Sequence, residues 1–170
     1  WQDRRTEAKC KLLRKRGFEK EINKKTGLLL DPYFSSSKIA WILDNVNGAR
    51  EKAKKDELCF GTIDTFVLWR LTGGKQHSTD VTNASRTSLY NILKLEWDKN
   101  LCKIFNIPFN ILPLVHDCVS DFGLTQKNIV GLEIPIKGIV GDQQAAAIGQ
   151  GCINEGDLKS TFGTGCFMLV

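Results

Sequence analysis

The sequence predicts a layered fold of helices and strands, an α/β or α+β architecture. Three observations lead there. Short apolar runs that end in glycine or proline alternate with segments whose apolar residues recur at helical spacing. The 170 residues are 42% hydrophobic and 25% charged, a composition that supports a sizeable core and argues against disorder. Residues 138–170 read as an apolar strand, a polar turn at Gly141-Asp142-Gln143-Gln144, an alanine-rich helix, and a strand climbing to Gly163-Thr164-Gly165 before leaving along 166–170.

Taken in order, Thr6 is placed to cap a first helix whose apolar positions Ala8, Leu12 and Leu13 share a face, and Gly17 stops it. The preceding WQDRR (1–5) reads either as a strand end with solvated charges or as a cleft wall. Residues 19–25 predict a short helix closed by Thr26-Gly27. Leu28, Leu29 and Leu30 form an apolar run that Asp31-Pro32 ends, because a residue before proline is driven out of the helical region, and Tyr33 projects from the resulting loop. Ser35-Ser36-Ser37 opens a helix that turns Ile39, Ala40, Ile42, Leu43 and Val46 inward and stops at Asn47-Gly48.

Residues 50–57 are a charged helical turn, 58–61 a short strand, and 62–71 a helix ended by Thr72-Gly73-Gly74. An edge strand is predicted at 76–79. The stretch 80–90, DVTNASRTSLY, is dense in small polar side chains, which either hold a site in place or serve as caps and turn bonds. Residues 89–95 alternate in part like a strand, 98–105 form a short helix, and 107–113 make a connection with two rigid prolines. Loops and a strand fill 117–131, and a short apolar strand spans 134–140. Gly156-Asp157 marks a boundary. The tail beyond it is too short to bury a core of its own, so a packing partner is expected elsewhere.

Several classes of function lose support. No run of 18 apolar residues exists to span a membrane, and Trp1 opens the sequence without a basic-then-apolar leader, so an internal piece of a protein is expected rather than a secretory start. The six cysteines are scattered without a C-x-x-C pair, which points to reduced thiols in the cytoplasm and to no metal site. Residues 1–55 carry 15 Lys/Arg against 7 Asp/Glu, or +8, while the rest carries 9 against 12, or −3. Those basic residues lie on short amphipathic stretches without interleaved aromatics, the pattern of solvated helix faces more than of a nucleic-acid surface. His77 and His116 belong to no serine or cysteine pattern of a triad, and each reads as a surface or structural histidine.

Two places offer chemistry. A carboxylate at Asp142, at the end of a strand, can enter a cleft and accept a proton from a substrate hydroxyl, with Gln143 beside it to hold a neighbouring hydroxyl. Asp142 can equally cap the helix that follows, and the two roles are compatible. Gly163-Thr164-Gly165 lets a phosphate approach the backbone with a hydroxyl at hand, or is a plain hairpin turn. Neither a Walker motif nor G-x-G-x-x-G is present.

Six blocks then combine: WQDRRT (1–6), DPYFSSSKIAWILDN (31–45), FGTIDTFVLWRLTGG (60–74), TDVTNASRT (79–87), GIVGDQQAA (138–146) and TFGTGCFMLV (161–170). In sequence and in order they resemble the FGGY carbohydrate kinase family, and within it the bacterial glycerol kinases. The resemblance implies an actin-like, ribonuclease-H-like ATPase fold of two α/β domains, present here in part. Residues 1–152 would be the later part of the N-terminal, polyol-binding domain, and 153–170 the first hairpin of the nucleotide-binding one.

Position by position, the resemblance implies that Asp142 is the general base on the terminal hydroxyl of glycerol. Gln143 and Tyr33 would hydrogen-bond the polyol, and Trp1 and Phe167 would wall its carbon backbone. Thr164, with Gly163 and Gly165, would meet the nucleotide phosphates, with Mg2+ bridging the phosphates of ATP. It further implies a cytoplasmic enzyme of glycerol catabolism that takes glycerol and ATP, with no nucleic-acid partner and no membrane span, and leaves room for a homo-oligomer of the full-length form.

The departures matter. The family's first phosphate hairpin, its arginine-glutamate pair for glycerol and most of its adenine-binding domain are not in these 170 residues, so the chain alone is expected to be inactive or nearly so. Two other readings stay open: a non-catalytic remnant or polyol-binding module, and a kinase of the same family for another polyol or a ketose. Some bacterial members also carry an arginine in a glycine-rich loop that binds a sugar bisphosphate. The corresponding stretch, 128–134, offers Glu133 instead. A carboxylate there repels phosphate, so titration of a sugar bisphosphate against the intact protein should show no binding at this loop; saturable binding there would refute it.

Overall fold

The computed structural model describes residues 2–163 and 165–170. Its contacts divide the chain into two compact units, Trp1–Ile139 and Val140–Val170.

The first unit opens with α1 (Glu7–Lys15) and α2 (Glu19–Thr26). Thr6 precedes α1 without capping it, since its backbone (φ −94°, ψ 6°) is outside the extended region from which a cap side chain reaches back. It is buried, and its hydroxyl pairs with that of Ser37 at 2.8 Å. Gly27 ends α2 at φ 70°, a left-handed conformation that glycine enters without penalty, and its N–H returns to the Asn23 carbonyl.

Helix α3 (Ser35–Asn45) begins where Pro32 stops the preceding run, as the sequence predicts. It buries Ile39, Ala40 and Leu43, while Ile42 and Val46 stay exposed. α4 (Ala49–Lys54) follows. The strand expected at 58–61 does not form: the Phe60 N–H bonds the Ile111 carbonyl at 2.7 Å, but no repeating ladder develops. α5 (Ile63–Leu71) buries Thr65 and Leu68 and leaves Ile63, Phe66, Val67 and Trp69 exposed.

Strand β1 (Ser78–Asp80), α6 (Val81–Ala84), β2 (Tyr90–Asn91), β3 (Glu96–Trp97), α7 (Lys99–Phe105) and β4 (Leu114–His116) complete the centre of this unit. β1 pairs in parallel with β4, Ser78 opposite Leu114 and Asp80 opposite His116. β1 pairs with β4 alone and so lies at an edge of its two-stranded sheet, as expected for 76–79, although all three of its residues are buried. β2 and β3 pair antiparallel, with the Tyr90 and Trp97 rings edge to face at 5.4 Å. The Trp97 indole donates to the Pro113 carbonyl at 2.7 Å and so ties the pair to the approach of β4. Asp98 caps α7 through the Asn100 and Leu101 N–H groups and also receives the Lys25 ammonium from α2. Ile22, Leu30, Ala40, Leu89, Leu101 and Phe105 form the heart of the core. Each large apolar side chain buried there contributes roughly 1.5–3 kcal/mol.

From Cys118 to Ile139 the chain doubles back on itself around α8 (Lys127–Val130). The apolar strand expected at 134–140 is reduced to isolated bridges, Leu124 with Pro135 and Val119 with Gly138. Around Pro135 the bonds are made by its neighbours, the Ile136 N–H to the Gly123 carbonyl and the Thr125 N–H to the Ile134 carbonyl, so the proline's missing N–H costs no bond there. Glu133 is exposed. The second unit holds α9 (Asp142–Gly149) and the antiparallel hairpin β5 (Lys159–Phe162) and β6 (Cys166–Leu169), where the sequence places them.

Asp80 is 0% exposed at the end of β1. Its two carboxylate oxygens receive five donors: the Thr82 N–H and hydroxyl, the Asn83 N–H and side-chain amide, and the Cys118 thiol. Burial pushes this carboxyl up, but the bonds from Thr82, Asn83 and Cys118 outweigh it and hold the group below the ordinary aspartate range. A depressed folded-state pKa gives stability that is complete above the unfolded value of about 3.9 and is lost as pH falls through the folded value. Asn cannot replace Asp here, because its NH2 must face donors. Asp80→Asn should therefore cost about 2–4 kcal/mol in urea denaturation near neutral pH and flatten the acid limb of the stability curve. An unchanged midpoint and acid limb would refute it.

Candidate active site

The second unit is built from a helix start and a hairpin. In the hairpin Lys159 lies opposite Leu169, Ser160 opposite Met168, Thr161 opposite Phe167, and Phe162 opposite Cys166. Directly opposed residues share a face and successive residues alternate, so Lys159, Thr161, Phe167 and Leu169 are on one face. Phe162 and Met168, on the other, are exposed. In the turn, the Gly163 N–H donates to the Gly165 carbonyl at 3.0 Å. Thr164, which the sequence singles out for phosphate contact, lies outside the described residues, as does Trp1.

The two turn glycines differ. A Cβ on Gly165 would come within 3.1 Å of the Phe167 ring, so glycine there lets the ring fold back over the turn. A Cβ on Gly163 would meet nothing within 4 Å, and its φ is not in the left-handed range, so neither packing nor backbone strain accounts for that glycine. Open space beside a main chain is what close approach by a ligand requires. Phe167 is 44% exposed, with part of its ring available to an apolar group.

Asp142 is the first residue of α9, following Gly141 in extended backbone (φ −62°, ψ 146°). Its side chain is exposed, and one carboxylate oxygen accepts the N–H of Gln143 at 2.8 Å. The capping alternative is thus met in part, through the neighbouring amide, and the helix start also favours a negative charge by about 0.3–1 kcal/mol. An exposed carboxylate keeps lone pairs to accept a proton from a hydroxyl. Gln143 is held differently: its side-chain carbonyl accepts the ammonium of Lys159 at 2.5 Å, and that lysine is 1% exposed.

Tyr33 belongs to the first unit. Its N–H donates to the Asp31 carboxylate at 2.8 Å, and its carbonyl and that of Pro32 both accept the Lys38 ammonium. Its ring stands edge-on to Phe34 at 5.2 Å, and Phe34 lies beneath the Arg86 guanidinium at 5.1 Å. Tyr33 as a whole is 43% exposed. Lys38, Lys159 and Arg86 were not singled out from the sequence as site residues. For Lys159 a signal existed, since a lysine two positions before Thr161 in a strand shares the face that carries Phe167. Lys38 acts on main-chain carbonyls, which no residue pattern reveals. Among the described residues, no cluster of three or more histidine, cysteine or acidic side chains is arranged to hold a metal.

Residues 1–149 match the N-terminal domain of the FGGY family of carbohydrate kinases. The chain is 61% identical over its whole length to a glycerol kinase from Chelativorans sp. (strain BNC1), covering 34% of that protein. Plasmodium falciparum glycerol kinase, solved with ADP, superposes with a TM-score of 0.93 at 41% identity, over 98% of this chain and 33% of that one. Xylulose kinase from Rhodospirillum rubrum superposes with a TM-score of 0.84 at 19% identity, over 96% and 33%, a likeness of fold alone. The chain therefore spans about a third of the length of the relatives it matches. Its architecture is a partial actin-like ATPase fold, as the six blocks imply. On the family match over residues 1–149, the chain belongs to the FGGY family of carbohydrate kinases.

Proposed function

We propose that the protein to which this chain contributes transfers the γ-phosphoryl group of ATP to a terminal hydroxyl of glycerol. The observation that carries the reading is the exposed Asp142 carboxylate at the start of α9, within a chain 61% identical throughout to a glycerol kinase. Asp142 takes the hydroxyl proton as the oxygen bonds to the γ-phosphorus, the bond from that phosphorus to the bridging oxygen breaks, and ADP leaves with the electron pair. Gln143 and Tyr33 hydrogen-bond the polyol, and Phe167 and Trp1 pack on its carbons. Gly163, Thr164 and Gly165 meet the phosphates, a role supported by the open space beside Gly163.

The donor set of the described residues lacks an acidic cluster for a resident ion. Mg2+ in this reading arrives on the ATP phosphates and offsets their charge. The reading of Tyr33 and Trp1 is supported by the sequence match, and that of Gln143 and Phe167 also by their place beside the hairpin. We assign residues 1–152 to the polyol-binding domain and 153–170 to the nucleotide-binding one; the end of the family match at residue 149 supports this. Scattered cysteines support a cytoplasmic setting, and no helix among the described residues is long and apolar enough to cross a membrane. A homo-oligomer of the full-length form agrees with this scheme.

In the full-length protein, Asp142→Asn should lower kcat for glycerol by about 10²–10⁴-fold with little change in thermal stability, measured by a coupled ADP-release assay. A loss below tenfold would show that the base is elsewhere. A wild-type protein that binds glycerol without turnover would favour the non-catalytic reading, and preference for another polyol or a ketose in a substrate panel would replace glycerol as substrate.

A further inference from the structure

We infer that Lys159 is a positioning residue that fixes the Gln143 amide in one orientation, so that Gln143 meets its ligand as a hydrogen-bond donor. The inference rests on the reading of Gln143 as a polyol contact and adds to it the polarity of the contact and the residue that enforces it.

A glutamine amide is ambiguous on its own, because its oxygen and nitrogen are nearly the same size and either can face a neighbour. The neighbour here removes the ambiguity. An ammonium has three donors and no acceptor, so the group facing Lys159 must be the Gln143 oxygen, at 2.5 Å. The amide NH2 is thereby turned away from Lys159. What it meets must be an acceptor: a lone pair of a hydroxyl, ether or carbonyl oxygen. A ligand that presents only a donor there leaves two sets of protons face to face.

The setting argues that this lysine is more than a spacer. Burying an ammonium costs several kcal/mol unless it is paired, yet Lys159 is 1% exposed and spends its hydrogen bond on a neutral amide. A methionine or leucine would fill the same strand position without that cost. Lys159 also shares its hairpin face with Thr161, whose hydroxyl is buried with no hydrogen-bond partner, and with Phe167. Gln143 is thus clamped on the side of the hairpin that carries the apolar ring assigned to the polyol.

The test is a double-mutant cycle in the full-length protein, after the wild type has been assayed against glycerol and a panel of polyols and ketoses. Lys159→Met should raise KM for the accepted polyol about tenfold while kcat stays within about threefold and KM for ATP is unmoved, the effect of one misdirected hydrogen bond. Gln143→Leu should give a similar rise, and the double variant should be no worse than Gln143→Leu alone, because Lys159 acts through Gln143. Lys159→Arg, still donor-only, should recover part of the loss. Additive effects, or an equal rise in KM for ATP, would overturn the inference.

A second readout needs neither turnover nor a folded lysine variant. In 15N-detected spectra the Lys159 ammonium protons should exchange slowly and shift in Gln143→Leu. A fast-exchanging or unshifted signal overturns the inference. If the wild type phosphorylates no member of the panel, the kinase reading falls, and this signal alone decides whether Lys159 holds Gln143.

Discussion

The first unit depends on a single buried carboxylate. Asp80 terminates β1 at the point where the parallel pair with β4 ends, and the five donors that surround it come from α6 and from Cys118, 38 residues further along the chain. Without this anion the Thr82 and Asn83 N–H groups at the start of α6 lose their side-chain acceptor, and the Cys118 thiol, just after β4, loses the bond that ties it to β1. The tether extends further, because the Cys118 carbonyl accepts the N–H of Ile139 at 3.0 Å. One charge thereby closes β1, caps α6 and holds the side chain of the residue whose carbonyl takes the Ile139 N–H. A buried carboxylate would ordinarily be a burden; five hydrogen bonds turn it into a fixed point.

The second unit uses charge in the opposite sense. Lys159 is a buried cation with a neutral partner, so its ammonium remains electrostatically uncompensated among its described contacts and sets the direction of an amide instead of closing an ion pair. Asp142, one residue before Gln143, is left exposed at the positive end of α9. Adjacent residues of one helix start thus carry distinct environments, one carboxylate exposed and one amide held by a buried lysine. That division agrees with the proposed phosphoryl transfer to an alcohol, in which a protein contributes position and proton acceptance rather than covalent chemistry.

Much of the fold was legible in local signals. Pro32 stopping an apolar run, Gly27 closing α2 and Asp98 capping α7 act within a few residues of themselves, and each element began or ended where its signal stood. The failures share a cause. Thr6 carried a cap residue's chemistry but spent its hydroxyl on Ser37, and residues 58–61 had the composition of a strand but met only one carbonyl of Ile111. Ile42 and Val46 obeyed the helical period yet stay exposed, because the period specifies a face and not what covers it. In residues 80–90, which the sequence left divided between a site and local bonding, Thr82 and Asn83 donate to Asp80, and the Ser85 and Thr87 hydroxyls bond the Thr82 and Ala84 carbonyls.

Sequence alone determined the order of the helices, most of their stops and, through six ordered blocks, the family, and it singled out Asp142, Gln143 and the glycine turn as the candidate site. These rest on short-range stereochemistry and on residue identity, both of which a linear string contains. Only the tertiary structure decided which polar groups meet across many residues: Cys118 with Asp80, Lys38 with the carbonyls beneath Tyr33, and Lys159 with Gln143. Such contacts arise when distant segments are packed together and each buried polar atom must find a partner, a condition imposed by burial and not by the neighbours in the chain.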